Sequence, residues 1–479
     1  MEGLRKLLGN SFSLLLNRLT QSITTFILIA SIARILGAYE LGQYMLAFSH
    51  YYVFMTLASQ GFKTLFTREL ARNPTETPSY LISGTFLQFL FSITGYAVLA
   101  LVVYLLPYKE DTSIVCYVIG LAIIPFSLSN VTESIFQAQE KMHLIAISTV
   151  PVYISRVLVM IWAMNLKHDI SIVSAIMVAS ECLIFLVQWC FITQLIQYKW
   201  RLDWKFMWDT TKASGAFIVI EGISVFGYRL QVFILSLLGG ELVVGLYGAV
   251  TQLMQPFQII SHSLVLAVFP KMTKAIDSGK DSQRQITQIT IEILLIVALP
   301  LIVGLAFIGK DLLILLYHDP SFAEAQFALN VFALGLIASS FVGPLSYLLV
   351  ANGFEKVNLW QVFITTILDV LISIVLVSQY KLNGAAITVI FTDFVALFIY
   401  LYEVNRRLFS LQIWSIIYRP LIVTFLMIPT FLILQKFSFN IIFTMFIATL
   451  SYFLFVAIIG IYTVYNSNDE WTKLLLKRK

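Results

Sequence analysis

Residues 11–36 read SFSLLLNRLTQSITTFILIASIARIL, a run with one charged residue in its first twenty-three. As a helix rising ~1.5 Å per residue it reaches ~39 Å, enough to cross a hydrocarbon core of ~30 Å. Phe12, Leu15, Leu16, Leu19, Ile23, Phe26, Ile27 and Ala30 recur at helical spacing and form one apolar stripe. Arg18, Gln21, Ser22 and Thr25 fall on the other side, at i, i+3, i+4 and i+7. A charge at the bilayer centre costs at least ~2.5–3.5 kcal/mol, so this polar stripe is expected to line a wet cavity. Guanidinium offers phosphate a planar fork of donors, which makes Arg18 a candidate phosphate ligand; a snorkelling arginine near the interface is the plainer alternative.

Thirteen further apolar stretches follow, near 43–66, 80–106, 113–135, 144–165, 170–195, 214–238, 242–269, 288–309, 324–350, 357–379, 384–404, 416–436 and 440–464. The fold class expected is therefore an all-α polytopic membrane protein of about fourteen transmembrane helices. With the N-terminus inside, inner connections hold 20 lysines and arginines and outer ones hold 5. That asymmetry is the positive-inside signature and puts both termini in the cytoplasm. Composition agrees: 59% hydrophobic and 12% charged residues, with mean hydropathy +0.87, cannot cover a water-soluble surface. The net charge of +5 reflects loops facing anionic headgroups rather than nucleic acid. Arg5 and Lys6 before an apolar run imitate a signal peptide, but the run is too long for one.

Several function classes are disfavoured. No phosphate-binding G-x-x-x-x-G-K-[ST] loop is present. His50, His143, His168, His262 and His318 lack ligand spacing, and Cys116, Cys182 and Cys190 fall within spans, so no metal, cofactor or disulfide framework is expected. No connection could house a soluble catalytic domain. Around 196–213, Trp200, Trp204 and Trp208 alternate with Lys199, Arg201, Lys205 and Lys212. This reads as a cytoplasmic linker helix lying flat at the headgroups.

That linker separates two similar halves. Gly37-x4-Gly42-Gln43-Tyr44 recurs 203 residues later as Gly240-x4-Gly245-Leu246-Tyr247, and Phe66-Thr67-Arg68 maps onto Phe269-Pro270-Lys271. Glu140-Lys141 is answered by Glu355-Lys356. Six spans separate each pair, so the repeats are parallel, an arrangement that places substrate between the halves near the midplane. The expected organisation is a six-helix lobe at 1–195, the linker 196–213, a second six-helix lobe at 214–404, and a helix pair with a basic tail at 405–479.

Residues 32–44, with Arg68-Glu69-Leu70-Ala71-Arg72, Phe136-Gln137-Ala138-Gln139-Glu140-Lys141-Met142, Gly245-Leu246-Tyr247-Gly248-Ala249 and Phe269-Pro270-Lys271, resemble the bacterial polysaccharide transporter family of O-antigen flippase type. The resemblance implies membership of the exporter superfamily that also holds multidrug extruders and lipid II flippases. It implies a two-lobed inner-membrane transporter that turns a polyprenyl-pyrophosphate-linked oligosaccharide across the bilayer. Where many relatives carry Arg-x-Asp in the seventh span, this chain has Arg229-Leu230-Gln231, so no role passes to that aspartate.

The remaining intramembrane charges complete the candidate site. Arg156 and Glu181 lie at similar depth on adjacent spans, and both a structural ion pair and a substrate role fit them. Glu221, Ser224, Tyr228 and Gln231 share a stripe with Arg229 beside it. Asp369 and Asp393 hold the midpoints of spans 11 and 12 with no cation facing them on those spans. The expected substrate-binding residues are Arg18, Gln21, Arg156, Tyr228 and Arg229. The candidates for proton or sodium coupling are Glu181, Glu221, Asp369 and Asp393. Lys63 and Arg34, near span ends, read as interfacial. The partners expected are the lipid-linked oligosaccharide, the bilayer, H+ or Na+, and other polysaccharide assembly proteins. Two rivals stay open: an organic-cation efflux antiporter on the same scaffold, and a membrane polysaccharide polymerase or glycosyltransferase.

Overall fold

The structure is a computed structural model that describes residues 2–196, 201–437 and 439–466, with side chains from 9 to 458 except at 216, 220, 223 and 224. Lys199, Trp200 and the basic C-terminal tail lie outside the described residues. All long elements are helices. In chain order they are α1 (Glu2–Ile35), α2 (Ala38–Met55), α3 (Gly61–Arg72), α4 (Thr85–Leu105), α5 (Glu110–Gly120), α6 (Ile123–Ala138), α7 (Met142–Asn165) and α8 (Ile170–Leu195). There follow α9 (Trp204–Gly239), α10 (Glu241–Lys274), α11 (Lys280–Tyr317), α12 (Gln326–Ala351), α13 (Glu355–Arg407), α14 (Ile413–Lys436) and α15 (Ile441–Asn466).

Eleven helical segments among the described residues are long and apolar enough to cross a membrane, fewer than the fourteen expected. Three departures account for the difference. Lys381, at φ 48° and ψ −120°, breaks the 53-residue α13 into two span-length pieces. The second expected span, α2 to α3, carries Gln43, His50, Gln60 and Lys63 and is too polar to count, although it is helical throughout. In α9, a helix unbroken over Trp204–Gly239, the side chains at 216, 220, 223 and 224 lie outside the described residues, so only Val225–Gly239 remains as a described apolar stretch. Asp203 Oδ1 accepts the Phe206 N–H at 2.9 Å and caps a helix that runs unbroken from Trp204 into the seventh span.

The chain forms two compact units, Met1–Ala249 with Leu316–Asp319 and Val377–Leu382, and Val250–Leu315 with Pro320–Leu376 and Asn383–Lys479. In the first, α1 packs along α7, α2 along α5, α3 along α6, and α9 against α2 and α3. An aromatic and aliphatic cluster around Phe62, Phe66, Tyr80, Leu81, Phe136 and Met207 fills one end. In the second unit, Leu295, Phe341, Leu345, Leu348 and Tyr400 centre one cluster, and Phe431, Met427 and Tyr452 centre another where α14 meets α15. Outward apolar side chains such as Phe12, Leu15, Leu19 and Ile23 are exposed, as lipid-facing positions must be. The apolar stripe of α1 is therefore its unpacked face.

The two glycine motifs explain their own repetition. Gly37 (φ 106°) and Gly240 (φ 83°) each sit in the left-handed region between consecutive helices, a conformation glycine adopts without a Cβ clash. Each donates its N–H to a carbonyl five residues back, Gly37 to Ile32 at 3.2 Å and Gly240 to Leu235 at 3.1 Å. Gly42 and Gly245 then face each other. A Cβ on Gly42 would stand 1.7 Å from the Glu241 carbonyl oxygen, and one on Gly245 would stand 1.8 Å from that of Ala38. Ala38 and Glu241 are themselves 203 residues apart, so the contact is reciprocal, as a two-fold relation between the motifs requires. Backbones this close leave no room for any side chain. The contact is flanked by a buried chain in which Gln43 Nε2 donates to Thr112 Oγ1 (3.2 Å) and Thr112 Oγ1 donates to Glu241 Oε1 (2.9 Å).

Candidate functional site

In the first unit, α1 presents its polar stripe without a protein partner. Arg18 and Gln21 are exposed, and among the described residues Arg18 makes no ion pair or hydrogen bond. The neighbouring Asn17 faces α7, where its Oδ1 accepts the Thr149 hydroxyl at 2.8 Å, so the packing side and the polar side of α1 differ by about one residue step. Arg18 sits 17 residues from the α1 C-terminus at Ile35, ~26 Å along the helix.

Arg229 on α9 is half-buried, and its guanidinium carbon lies 5.8 Å from the Phe48 ring, 5.0 Å from Tyr52 and 5.3 Å from Tyr228. Its Nε is buried without a hydrogen-bond partner. Aromatic faces hold a cation through their quadrupoles but leave its N–H donors unsatisfied, so this arginine keeps donor capacity. Tyr228 is 70% exposed, and Glu221 is exposed with no ion pair among the described residues. The side chain of Ser224, expected on the same stripe, lies outside the described residues.

Arg156 and Glu181 meet. Arg156 Nη1 donates to Glu181 Oε1 at 2.9 Å, with both side chains buried and the Tyr153 ring 4.9 Å from the guanidinium. Each therefore already has its counter-charge, and the ion pair that sequence depth allowed is the arrangement present. Lys63 differs from its interfacial expectation. Its Nζ lies 2.6 Å from Glu133 Oε2, and both side chains are largely buried. Glu133 Oε1 accepts from Gln188 Nε2 (3.3 Å), which also donates to Ser148 Oγ (3.1 Å), while Gln188 Oε1 accepts from Thr132 (2.6 Å). A buried ammonium must be paired, and the one-turn π segment Thr56–Gln60 just before α3 shifts the helix register that carries it. Arg34 stays at a span end, 3.1 Å from His318 Nε2 and exposed.

In the second unit Asp369 and Asp393, on the two arms of α13, are half-buried and near enough to interact electrostatically. Among the described residues neither makes an ion pair or hydrogen bond. Asp393 Oδ2 lies against α12 where Gly335 leaves room; a Cβ there would come within 3.0 Å of it. Glu292 on α11 and Arg419 on α14 form a looser pair at 3.6 Å. Among the described residues no group of His, Cys, Asp and Glu could hold a metal ion.

A sequence model of the polysaccharide biosynthesis protein family matches residues 7–276, more than half of the 479. The chain belongs to that family. Among curated proteins it is similar to the Staphylococcus aureus capsular polysaccharide biosynthesis protein CapF, 22% identical over 350 residues, covering 70% of this chain and 83% of CapF. Among solved structures it resembles the lipid II flippase MurJ in an inward closed conformation, with TM-score 0.69 and 16% identity over 94% of this chain and 98% of MurJ. A transporter of the MOP superfamily from Pyrococcus furiosus gives TM-score 0.58 and 12% identity over 84% and 95% of the two chains. This member of the family is thus a multi-pass membrane protein with the MOP-superfamily fold.

The family member carries two polar features its sequence reading passed over. Glu133 and Gln188 are polar residues of the fourth and sixth spans, and because Lys63 and Glu133 lie on spans that are not consecutive, the depth comparison that links Arg156 with Glu181 does not link them. The Glu292–Arg419 pair joins the ninth and thirteenth spans, and no spacing rule links residues so far apart in the chain.

Proposed function

We propose that the protein is a flippase that moves a polyprenyl-pyrophosphate-linked oligosaccharide, an O-antigen or other surface polysaccharide unit, from the cytoplasmic to the outer leaflet of the bacterial inner membrane. The fourteen-span reading, with lobes 1–195 and 214–404, the linker 196–213, the appended 405–479 and both termini cytoplasmic, belongs to this proposal. The observation that carries it is the contrast among three intramembrane arginines. Arg156 is neutralised by Glu181, whereas among the described residues Arg18 has no counter-charge and Arg229 is bordered by aromatic rings with no ion pair. Cations left uncompensated inside a membrane protein are set to meet a mobile anion, and pyrophosphate matches the guanidinium fork. Gln21 and Tyr228, both exposed beside these arginines, supply further hydrogen bonds. The family match and the likeness to CapF and MurJ favour the same substrate class.

Transport proceeds by alternating access, with Asp369 and Asp393 as the candidate sites of H+ or Na+ coupling because, among the described residues, they alone of the proposed carboxylates are both half-buried and without a cation. Glu221 is retained as a weaker coupling candidate, and Glu181 is committed to Arg156. The half-buried pair of acids without a counter-charge among the described residues also suits an organic cation, so a drug extruder is the second reading. Liposomes holding the purified protein separate the two when offered lipid-linked oligosaccharide and a cationic dye. Flipping of the glycolipid should fall at least about tenfold in Arg18→Ala and Arg229→Ala, the loss of one or two charge-assisted hydrogen bonds, and recover in part with lysine. Folded variants that flip at the wild-type rate would refute the proposal, and transport of the dye alone would favour extrusion.

A further inference from the structure

The eighth span carries a polar stripe that the arginine site does not use. Gln255, Gln258 and His262 follow at i, i+3 and i+7 along α10, and Gln258 and His262 are exposed. His262 is 12 residues from the helix end at Lys274, ~18 Å along the axis and well inside the hydrocarbon depth. Exposed amide and imidazole groups at that depth do not face acyl chains; they line a hydrated or ligand-filled space.

That space is a cleft of about 160 Å³ within the second unit, walled by α10 and α12. Gln258, Ser261 and His262 contribute polar groups from one helix, Ser339 and Tyr347 from the other, and Phe257 adds an aromatic wall. Gly343 leaves the α12 wall open. A Cβ there would meet only Val265 Cγ2 at 3.5 Å and Ser261 Oγ at 3.8 Å, so the absent side chain makes room for something other than helix packing. Among the described residues none of the five polar side chains donates or accepts a protein hydrogen bond, though the Tyr347 ring packs edge-on against Phe269. Five side chains with uncommitted polar groups border one mostly apolar hollow, which is not the pattern of a structural core, where polar atoms are paired.

The chemistry of the donors narrows the ligand. Gln and His each offer donors and acceptors, and three hydroxyls do both. Among the described residues no carboxylate lines the cleft to take an organic cation, and no arginine or lysine lines it to take a phosphate. Rings beside alternating donors and acceptors suit a polyol with one apolar C–H face. The volume lies below the ~300 Å³ of a complete ligand pocket, so it holds a single ring rather than a chain.

We infer that the α10–α12 cleft, built on His262, Gln258, Ser339 and Tyr347, is a sugar-recognition subsite that binds one pyranose ring of the glycolipid. The inference rests on the flippase reading above and adds where the sugar, as opposed to the pyrophosphate, is recognised.

The test measures binding of two probes to the full-length protein in nanodiscs: undecaprenyl pyrophosphate without sugar, and the same lipid bearing one N-acetylhexosamine. Wild type should prefer the glycosylated lipid by about tenfold, the worth of two net hydrogen bonds. His262→Ala and Gly343→Ala should erase that preference while leaving the sugar-free affinity unchanged; His262→Gln, which keeps a donor and an acceptor, should retain part of it. Gly343→Ala guards against misfolding, because its methyl meets only ordinary contacts and a helix favours alanine. Arg18→Ala should weaken both probes alike. Wild type without preference, or variants that keep it in full, would overturn the subsite and leave the flippase reading standing. Failure of wild type to bind either lipid would overturn both.

Discussion

Alanine at Gly42 or Gly245 tests the duplicated motif most directly. The Cβ of either variant would lie 1.7 or 1.8 Å from a carbonyl oxygen of the opposite helix, whereas ordinary contacts begin near 3.4 Å. The obstacle is backbone, so no rotamer relieves it, and α2 and α10 must separate by up to 1.7 Å, the difference between 3.4 and 1.7 Å. Overpacking of this kind costs about 1–3 kcal/mol, and the separation also strains the Thr112–Glu241 hydrogen bond beside it, so each single variant should sit near 3 kcal/mol. Because both glycines serve one reciprocal contact, a helix pair already parted by the first methyl admits the second at little further cost. The double variant should therefore be no more than about 1 kcal/mol worse than the worse single one, a strongly non-additive cycle. Thermal unfolding in detergent, followed by size-exclusion fluorescence for the wild type, both singles and the double, reads this out. Two singles within about 0.5 kcal/mol of wild type, the range of inconsequential surface changes, or two losses that simply add, would refute the reciprocal contact.

Three further outcomes follow from the same contacts. Arg156→Met should destabilise by about 3–5 kcal/mol by stranding the buried Glu181 carboxylate, and Arg156→Met with Glu181→Leu should recover most of it; thermal unfolding of the three variants checks this, and equal losses would place the pair's importance elsewhere. Asp203→Ala should cost about 1 kcal/mol by removing the cap from Phe206 N–H, seen as a lower unfolding midpoint with unchanged substrate binding. Asp393→Asn should flatten the dependence of flipping rate on an imposed pH gradient. Gly335→Ala, which sets a methyl 3.0 Å from Asp393 Oδ2, should mimic it in part; liposomes with and without the gradient measure both, and an unchanged profile would remove Asp393 from the coupling site.

Much of the architecture was legible because membrane helices obey one-dimensional rules. Length, apolarity and the placement of lysine and arginine act on each segment separately, so α1, α7 and α8 lie close to where their sequences put them. The polar second span was legible as a helix but not as an apolar one. Its buried side chains Gln43 and Ser59 are compatible with the bilayer because protein encloses them, a condition no hydropathy window sees. The Arg156–Glu181 pair was one of two readings the sequence left open, beside a substrate role, because the two residues sit on consecutive antiparallel spans at matched depth. The Lys63–Glu133 pair needed the register set by the π segment at Thr56–Gln60, and the α10–α12 cleft needed two helices separated by an entire span. The isolated histidines carried no spacing signal, so His262 acquired meaning only when Ser339, Gly343 and Tyr347 came to stand opposite it.

The sequence by itself determined that this chain crosses the membrane many times, that its motifs repeat at 203 residues, and that several arginines and acids sit within the spans. Tertiary structure alone decided which of those charges are cancelled and which are left waiting: Arg156 against Glu181 and Lys63 against Glu133, but Arg18, Asp369 and Asp393 with no counter-charge among the described residues. The reason is physical. Entry of a helix into a bilayer depends on the summed transfer energy of its own residues, a property of one segment, whereas neutralising a charge takes atoms within about 3 Å that the chain supplies from distant helices.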